Sequence, residues 1–335
     1  MRVLVKGAGV AGLTAAFELA TRGAAVTVAE IRHSVAGNAS WMAGGMLAPW
    51  CERESAEQPV LVLDLGLCAA DWWDAALPGH VTRAGTLVVA MPRDAGELDR
   101  FASRTSGYRW VAEDEIVLLE PDLTRRFRLG LFFPGEAHLD PRRAMAALQE
   151  KLAEIGVKFR FGVDAQHTPG FECEIDCTGM AASDEKLRGV RGEMLILHAP
   201  DISLSRPVRL LHPRFPLYLA PRANHHFMVG ATMIESLSAG PVTVRSMMEL
   251  LNAAYSVHPA FGEAAIVETG VGIRPAYPDN LPRVERHGKT VAINGLYRHG
   301  FLLAPAMAQR AADLVFRSDK PAEHSDETDC QRRSA

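Results

Sequence analysis

The sequence predicts an α/β protein in which a Rossmann-like dinucleotide-binding domain is joined to a second domain built on a mixed sheet. Three observations carry this expectation. Residues 2 to 12 run a short apolar strand directly into Gly7-Ala8-Gly9-Val10-Ala11-Gly12, after which helical spacing begins. Strand-rich stretches recur through the middle of the chain, at 85–91, 193–198 and 226–232. The length of 335 residues also suits two cores, because a single core stops growing near roughly 250 residues.

Taken in order, Arg2-Val3-Leu4-Val5-Lys6 has the continuous apolar character of a buried parallel strand. In the loop that follows, Gly7 permits the tight turn, Gly9 lets the backbone approach a pyrophosphate, and Gly12 lets helix and strand pack closely. Leu13, Phe17 and Leu19 start the helix, and Ala25-Val26-Thr27-Val28-Ala29 forms the next strand, ending at Glu30, 23 residues beyond Gly7. An acid there accepts from ribose hydroxyls and repels a 2′-phosphate, which disfavours NADP and leaves FAD and NAD open.

Residues 157–164 (VKFRFGVD) read as a strand with a turn at Val163 toward the nucleotide, and residues 174–179 (EIDCTG) as a strand ending in Thr178-Gly179. The Thr-Gly strand end resembles one in FAD-dependent oxidoreductases, whose nucleotide domain is assembled from separated stretches; its plainer reading is a strand and a turn. Helical patterns occupy 95–104 and 244–257. Near the end, 295–306 (GLYRHGFLLAPA) opens a helix with Leu303, Met307, Ala311 and Leu314 on one face. Its glycine-flanked first turn suits a negatively charged ligand, since the first N–H groups lack intrahelical acceptors. Residues 319–335 are polar and aperiodic and are expected to form a flexible tail.

Composition narrows the function classes. With 36 basic and 40 acidic residues and no long basic run, nucleic acid is excluded as an expected partner. No stretch of 18 consecutive apolar residues occurs, so no membrane span is expected. The start MRVLVKGAGVAGLTAAFELA has a signal-peptide-like basic end and apolar run, but its glycine spacing serves the nucleotide fold. Five cysteines, at 51, 68, 173, 177 and 330, make no disulfide framework and fit a reducing cytoplasmic setting. Cys173 and Cys177 are expected on one face of a strand as buried thiols, and His225 and His226 on opposite faces of another, which argues against joint metal ligation.

A more specific signal comes from five blocks in a fixed order: Ala43-Gly44-Gly45-Met46-Leu47, Tyr218-Leu219-Ala220-Pro221-Arg222, Val229-Gly230-Ala231-Thr232, Gly272-Ile273-Arg274-Pro275, and Arg298 to Leu302. In these blocks the chain resembles the glycine oxidase and D-amino-acid oxidase family of FAD-dependent oxidoreductases, nearest to its thiamine-biosynthesis branch, from the first residues to about residue 316. The resemblance implies FAD as cofactor, held by Gly7, Gly9, Gly12 and Glu30, by the small-residue segment Ala43, Gly44, Gly45 and Met46, and by Val163, Thr178 and Gly179. It places Arg298, His299, Gly300, Phe301 and Leu302 beside the isoalloxazine.

The resemblance also implies a substrate site in which Arg274 grips the carboxylate, Tyr218 donates to it and Arg298 stands at the edge. A guanidinium suits that task because it offers two parallel hydrogen bonds. The plainer alternatives are an ordinary salt bridge for Arg274 and a surface strand residue for Tyr218. The implied reaction takes glycine or another small amino acid or amine to its imine with O2 reduced to H2O2, needs no catalytic base, and feeds thiazole formation, which links the chain functionally to a thiazole synthase. The implied FAD-binding domain is discontinuous, from 1–78, 137–182 and 270–318, with a substrate domain from 79–136 and 183–269. A D-amino-acid oxidase or dehydrogenase of broader specificity, and a flavin-binding sensor without turnover, stay open as alternatives, as does homo-oligomer formation.

Overall fold

A computed structural model of the chain describes residues 1–165, 169–213 and 216–317. Cys330 and the expected tail at 319–335 lie outside the described residues. The first sheet has six strands in the order Arg283–His287, Thr290–Asn294, Cys173–Asp176, Arg2–Lys6, Ala25–Glu30 and Lys158–Phe161. All neighbours are parallel except the hairpin of the first two. Val3, Leu4 and Val5 are fully buried, as a parallel strand covered on both faces requires.

The helices Val10–Thr21, Pro141–Glu154 and Gly300–Phe316 share one core with this sheet. The second of them starts cleanly because Pro141 takes the first helical position and Asp140 caps it, accepting from Arg142 N at 2.9 Å and Arg143 N at 3.3 Å.

The second sheet has nine strands. Its path runs Ile234–Glu235, Arg188–His198, His226–Gly230, Leu217–Arg222, Val208–Leu211, Thr86–Ala90, Leu129–Phe133 and Arg109–Ala112, with Ala265–Ala276 added to Arg188–His198. It is mixed, because Val208–Leu211 lies parallel to Thr86–Ala90 while the other pairs are antiparallel. The twelve-residue strand Ala265–Ala276 runs unbroken past residue 270 and carries Arg274 opposite Val190. A small third sheet comprises Met46–Leu47, Ala137–Leu139 and Val81–Thr82.

Two details differ from the sequence reading. His225 lies in the hairpin turn with φ +54°, beside Asn224 at +58°, and the strand opens only at His226. Two successive left-handed residues within the three-residue connection 223–225 reverse the chain before His226, so the alternation of faces does not apply to this histidine pair. Similarly, the strand Cys173–Asp176 stops before Cys177, although both thiols are buried. The helix expected at 95–104 is Gly96–Ala102, and that at 244–257 is Val244–Val257. Among the described residues no helix is long and apolar enough to cross a membrane.

Candidate active site

A cavity of about 1290 Å³ opens where the C-terminal ends of the parallel strands face the mixed sheet. Lys6, Gly7, Glu30, Asp176 and Asn294 come from the strand ends, and Arg209, Tyr218 and Arg274 from the opposite sheet. This is the crevice beyond the carboxyl ends of an open parallel sheet, where such folds bind ligands.

At the nucleotide end, Gly7 has φ +96°, and a Cβ there would stand 2.6 Å from the Cys177 carbonyl oxygen. Gly9 lines the cavity; Gly12 does not, and its role is packing, because a Cβ would meet the Gly7 oxygen at 1.9 Å. Glu30 is 4% exposed and does more than face a ribose. Its Oε2 accepts from Ala8 N at 2.7 Å and its Oε1 from Arg32 N at 3.0 Å, so the carboxylate fastens the glycine loop to the second strand. Val163 lines the same region and donates its N–H to the Glu30 carbonyl at 3.1 Å. The Thr178-Gly179 turn is held by Asp176, which accepts from Thr178 N at 3.0 Å and Thr178 Oγ1 at 2.6 Å.

In the middle of the cavity wall lie Ala43, Gly44, Gly45 and Met46. Gly44 cannot carry a side chain, since its Cβ would be 2.4 Å from the Tyr218 ring. Its carbonyl accepts from Arg222 Nη2 at 2.8 Å. The preceding Trp41 and Met42 are tied down by Arg142, which donates from Nε to the Trp41 carbonyl at 3.2 Å and grips the Glu268 carboxylate with two bonds of 2.7 Å each. His299, Gly300, Phe301 and Leu302 line the cavity where the helix Gly300–Phe316 begins. Among the described residues no side chain caps that helix, and the first bond back to it is Leu303 N to His299 O at 2.8 Å, which leaves first-turn N–H groups for a ligand.

The structure brings Tyr218, Arg274 and Arg298 into the same cavity. Arg274 donates from Nη1 to the Thr232 carbonyl at 3.0 Å, and Gly192 makes room for the guanidinium, because a Cβ there would be 2.1 Å from Nη2. Among the described residues no carboxylate pairs with Arg274 within 4.0 Å. Burial lowers the basicity of Arg274 and raises the Tyr218 phenol above its ordinary value, so the phenol stays a donor at neutral pH.

Arg298, by contrast, is engaged. Its Nε stands 2.9 Å from Glu52 Oε2 and its Nη2 donates to Ser55 Oγ at 2.5 Å. Glu52 also meets Arg209 Nη1 at 3.2 Å and His299 Nδ1 at 3.2 Å. Burial pushes this carboxyl up, but Arg298, His299 and Arg209 outweigh it and hold Glu52 well below the usual carboxylate range. Burial lowers His299 in spite of Glu52, leaving a neutral ring at neutral pH.

Glu52 and Arg209 had no place in the sequence reading. Positions 52, 209 and 298 share no spacing, and only the fold brings them together. The one local clue was alternation: Arg209 is the cross-strand partner of Tyr218, so the two share a face.

Comparison with known proteins agrees with this geometry. The family model for FAD dependent oxidoreductases (DAO) matches residues 2–314. The chain is 62% identical to the candidate thiamine biosynthesis oxidoreductase ThiO of Rhizobium etli over 93% of this chain and 95% of that one. It is 26% identical to a glycine oxidase of Geobacillus kaustophilus over 95% and 93% of the two chains. A solved glycine oxidase structure from the same species superposes with a TM-score of 0.79 at 23% identity, covering 96% of each chain, a likeness of fold. A Synechocystis protein named as bifunctional ThiO/ThiG is 27% identical over 93% of this chain, which spans about half, 51%, of its length.

Proposed function

The chain belongs to the DAO family of FAD-dependent oxidoreductases, and from that premise we propose that it oxidises glycine or another small amine to the imine, passing the electrons to O2 to give H2O2. The product serves thiazole formation in thiamine biosynthesis. The ThiO relative supports the pathway, and the glycine oxidase relative supports the substrate class. The fused ThiO/ThiG chain supports a functional link to a thiazole synthase.

The residues present fit FAD. The glycine loop has no Cβ to obstruct a pyrophosphate, Glu30 ends the second strand beside the cavity, and an uncapped helix start faces the middle of it. In this reading Gly7, Gly9, Glu30, Val163 and Thr178-Gly179 hold the nucleotide end, while Ala43 to Met46 and Arg298 to Leu302 enclose the reactive ring. FAD supplies the two-electron acceptor that side chains lack.

The chain's own part is binding and orientation. Arg274 takes the substrate carboxylate through two parallel hydrogen bonds and Tyr218 donates a third, which fixes the α-carbon relative to the cavity wall. Glu52, with its depressed pKa, is a poor proton acceptor and serves instead as counter-charge to Arg209 and Arg298. The amine enters neutral, having left its proton to solvent.

The observation that carries the proposal is the Arg274 guanidinium, set in the cavity beside Tyr218 with no carboxylate partner among the described residues. Steady-state kcat/KM by peroxide release for glycine, sarcosine, D-alanine and D-proline tests it. A preference for D-proline above about tenfold, the low end of what a single methylene of pocket fit supplies, would overturn the glycine assignment.

A further inference from the structure

At the rim of the same cavity stands Met233, 50% exposed and between two donors: Tyr297 Oη donates to its Sδ at 3.4 Å and Arg298 Nη1 at 3.5 Å. Of the other methionines that line the cavity, Met180 stands in the short turn Gly179–Ala181, and the rest are packed. Met42 and Met46 pack with buried Met194 and Met228 against Tyr218 and the mixed sheet, where sulfur contributes bulk. Met233 contributes little bulk at its position. The residue is half exposed and lines the cavity, and its sulfur touches an arginine that is itself tied to Glu52 and Ser55.

We propose that Met233 is a modification site: peroxide formed by the enzyme's own turnover oxidises it to the sulfoxide before leaving the cavity mouth. The proposal rests on the oxidase reading above for the source of the oxidant, hydrogen peroxide. The sulfur lone pair attacks one peroxide oxygen, the O–O bond breaks as the S–O bond forms, and the departing hydroxide takes the remaining proton to leave as water. Sulfur loses two electrons and peroxide gains them, so thioether plus H2O2 gives sulfoxide plus H2O. One of the two donors must leave the sulfur for a lone pair to attack, and both can then donate to the oxygen that forms on it, where negative charge develops.

The consequence follows from what a sulfoxide is. Oxidation turns a weak acceptor into a strong, polar one. Arg298 then gains a firmer partner at the rim, and the cavity mouth becomes more polar and less mobile. Activity declines as the sulfoxide accumulates, in proportion to turnovers completed, and a sulfoxide reductase restores it because this step of methionine oxidation is reversible.

Met248 serves as an internal reference, since it is 58% exposed, more than Met233, on the helix Val244–Val257 and outside the cavity lining. The holoenzyme is turned over with glycine in air, and methionine sulfoxide is quantified by peptide mass spectrometry at both positions. Met233 is expected to lead Met248 by roughly threefold or more, the opposite of what exposure alone gives. Met233→Leu, assayed against its own initial rate, should lose activity per turnover more slowly than wild type. In a second arm, peroxide is added to resting holoenzyme without amine; Met233 should be oxidised along with Met248 but without the lead it gains in turnover. Absence of peroxide during turnover would remove the oxidase reading and leave the second arm to judge Met233. A thioether at Met233 while Met248 is oxidised, in either arm, overturns the proposal.

Discussion

Replacing Arg274 by methionine removes the charge assigned to the substrate carboxylate while keeping the length of the side chain. The arginine lies on the strand Ala265–Ala276, lines the cavity, and spends one N–H on the Thr232 carbonyl at 3.0 Å. Among the described residues no carboxylate pairs with it, and burial lowers its basicity, so a bound carboxylate would supply the counter-charge. In the variant the carboxylate enters the same cavity with no counter-ion. Breaking a buried, hydrogen-bonded ion pair from one side costs ~3–5 kcal/mol, or roughly two to four decades in kcat/KM if the interaction is fully expressed in the transition state. The assay is kcat/KM for glycine by peroxide release, with FAD content measured on the same preparation. FAD should be retained, because the hydrogen bond of Arg274 goes to Thr232, between the strands His226–Gly230 and Ile234–Glu235, and not to the glycine loop. Arg274→Lys should fall between, keeping the charge and losing the planar fork. A loss under about tenfold would refute the reasoning and return Arg274 to the rank of a screened surface cation.

Gly7→Ala should yield protein purified with substoichiometric FAD, since the residue has φ +96° and the new Cβ would lie 2.6 Å from a backbone oxygen; full FAD occupancy by absorbance would contradict this. Glu136 is 1% exposed, accepts from Cys51 N at 2.8 Å, and is pushed up to about 7 by burial from an ordinary 4.5. The folded chain therefore holds a proton there that the unfolded chain has lost, and this group's contribution to stability falls as pH rises from about 4.5 to about 7. Glu136→Gln abolishes that slope, so its stability relative to wild type should rise across this window by on the order of 3 kcal/mol, read from denaturant titrations at several pH values; a pH-independent difference would contradict it.

Much of the nucleotide end was legible because its signals are local. Strand, glycine loop, helix and acid lie within the first 30 residues, and the observed strands Arg2–Lys6 and Ala25–Glu30 start and stop where the pattern places them. Glu30 shows the limit of that reading: its bond to Ala8 N depends on how the glycine loop folds back, which a motif does not specify. The cavity's other half was legible only through resemblance. Arg274, Tyr218 and Arg298 stand on separate strands and a loop, and their convergence is a property of the sheet packing. The Glu52 cluster and the Arg142–Glu268 pair were not legible, because each joins residues more than a hundred positions apart with no periodic signature. Turn chemistry explains the His225 error, where a pair of left-handed residues ended a strand that propensity alone would have continued.

We propose that the chain holds FAD in this cavity and uses it to oxidise a small amine carried by its carboxylate. The direct measurement is the visible flavin absorbance of purified protein mixed anaerobically with glycine or sarcosine, followed by admission of air. The account predicts bleaching on mixing, then recovery of colour with release of hydrogen peroxide. Flavin that stays oxidised with glycine, sarcosine, D-alanine and D-proline alike would contradict it, as would bleached flavin that air does not restore.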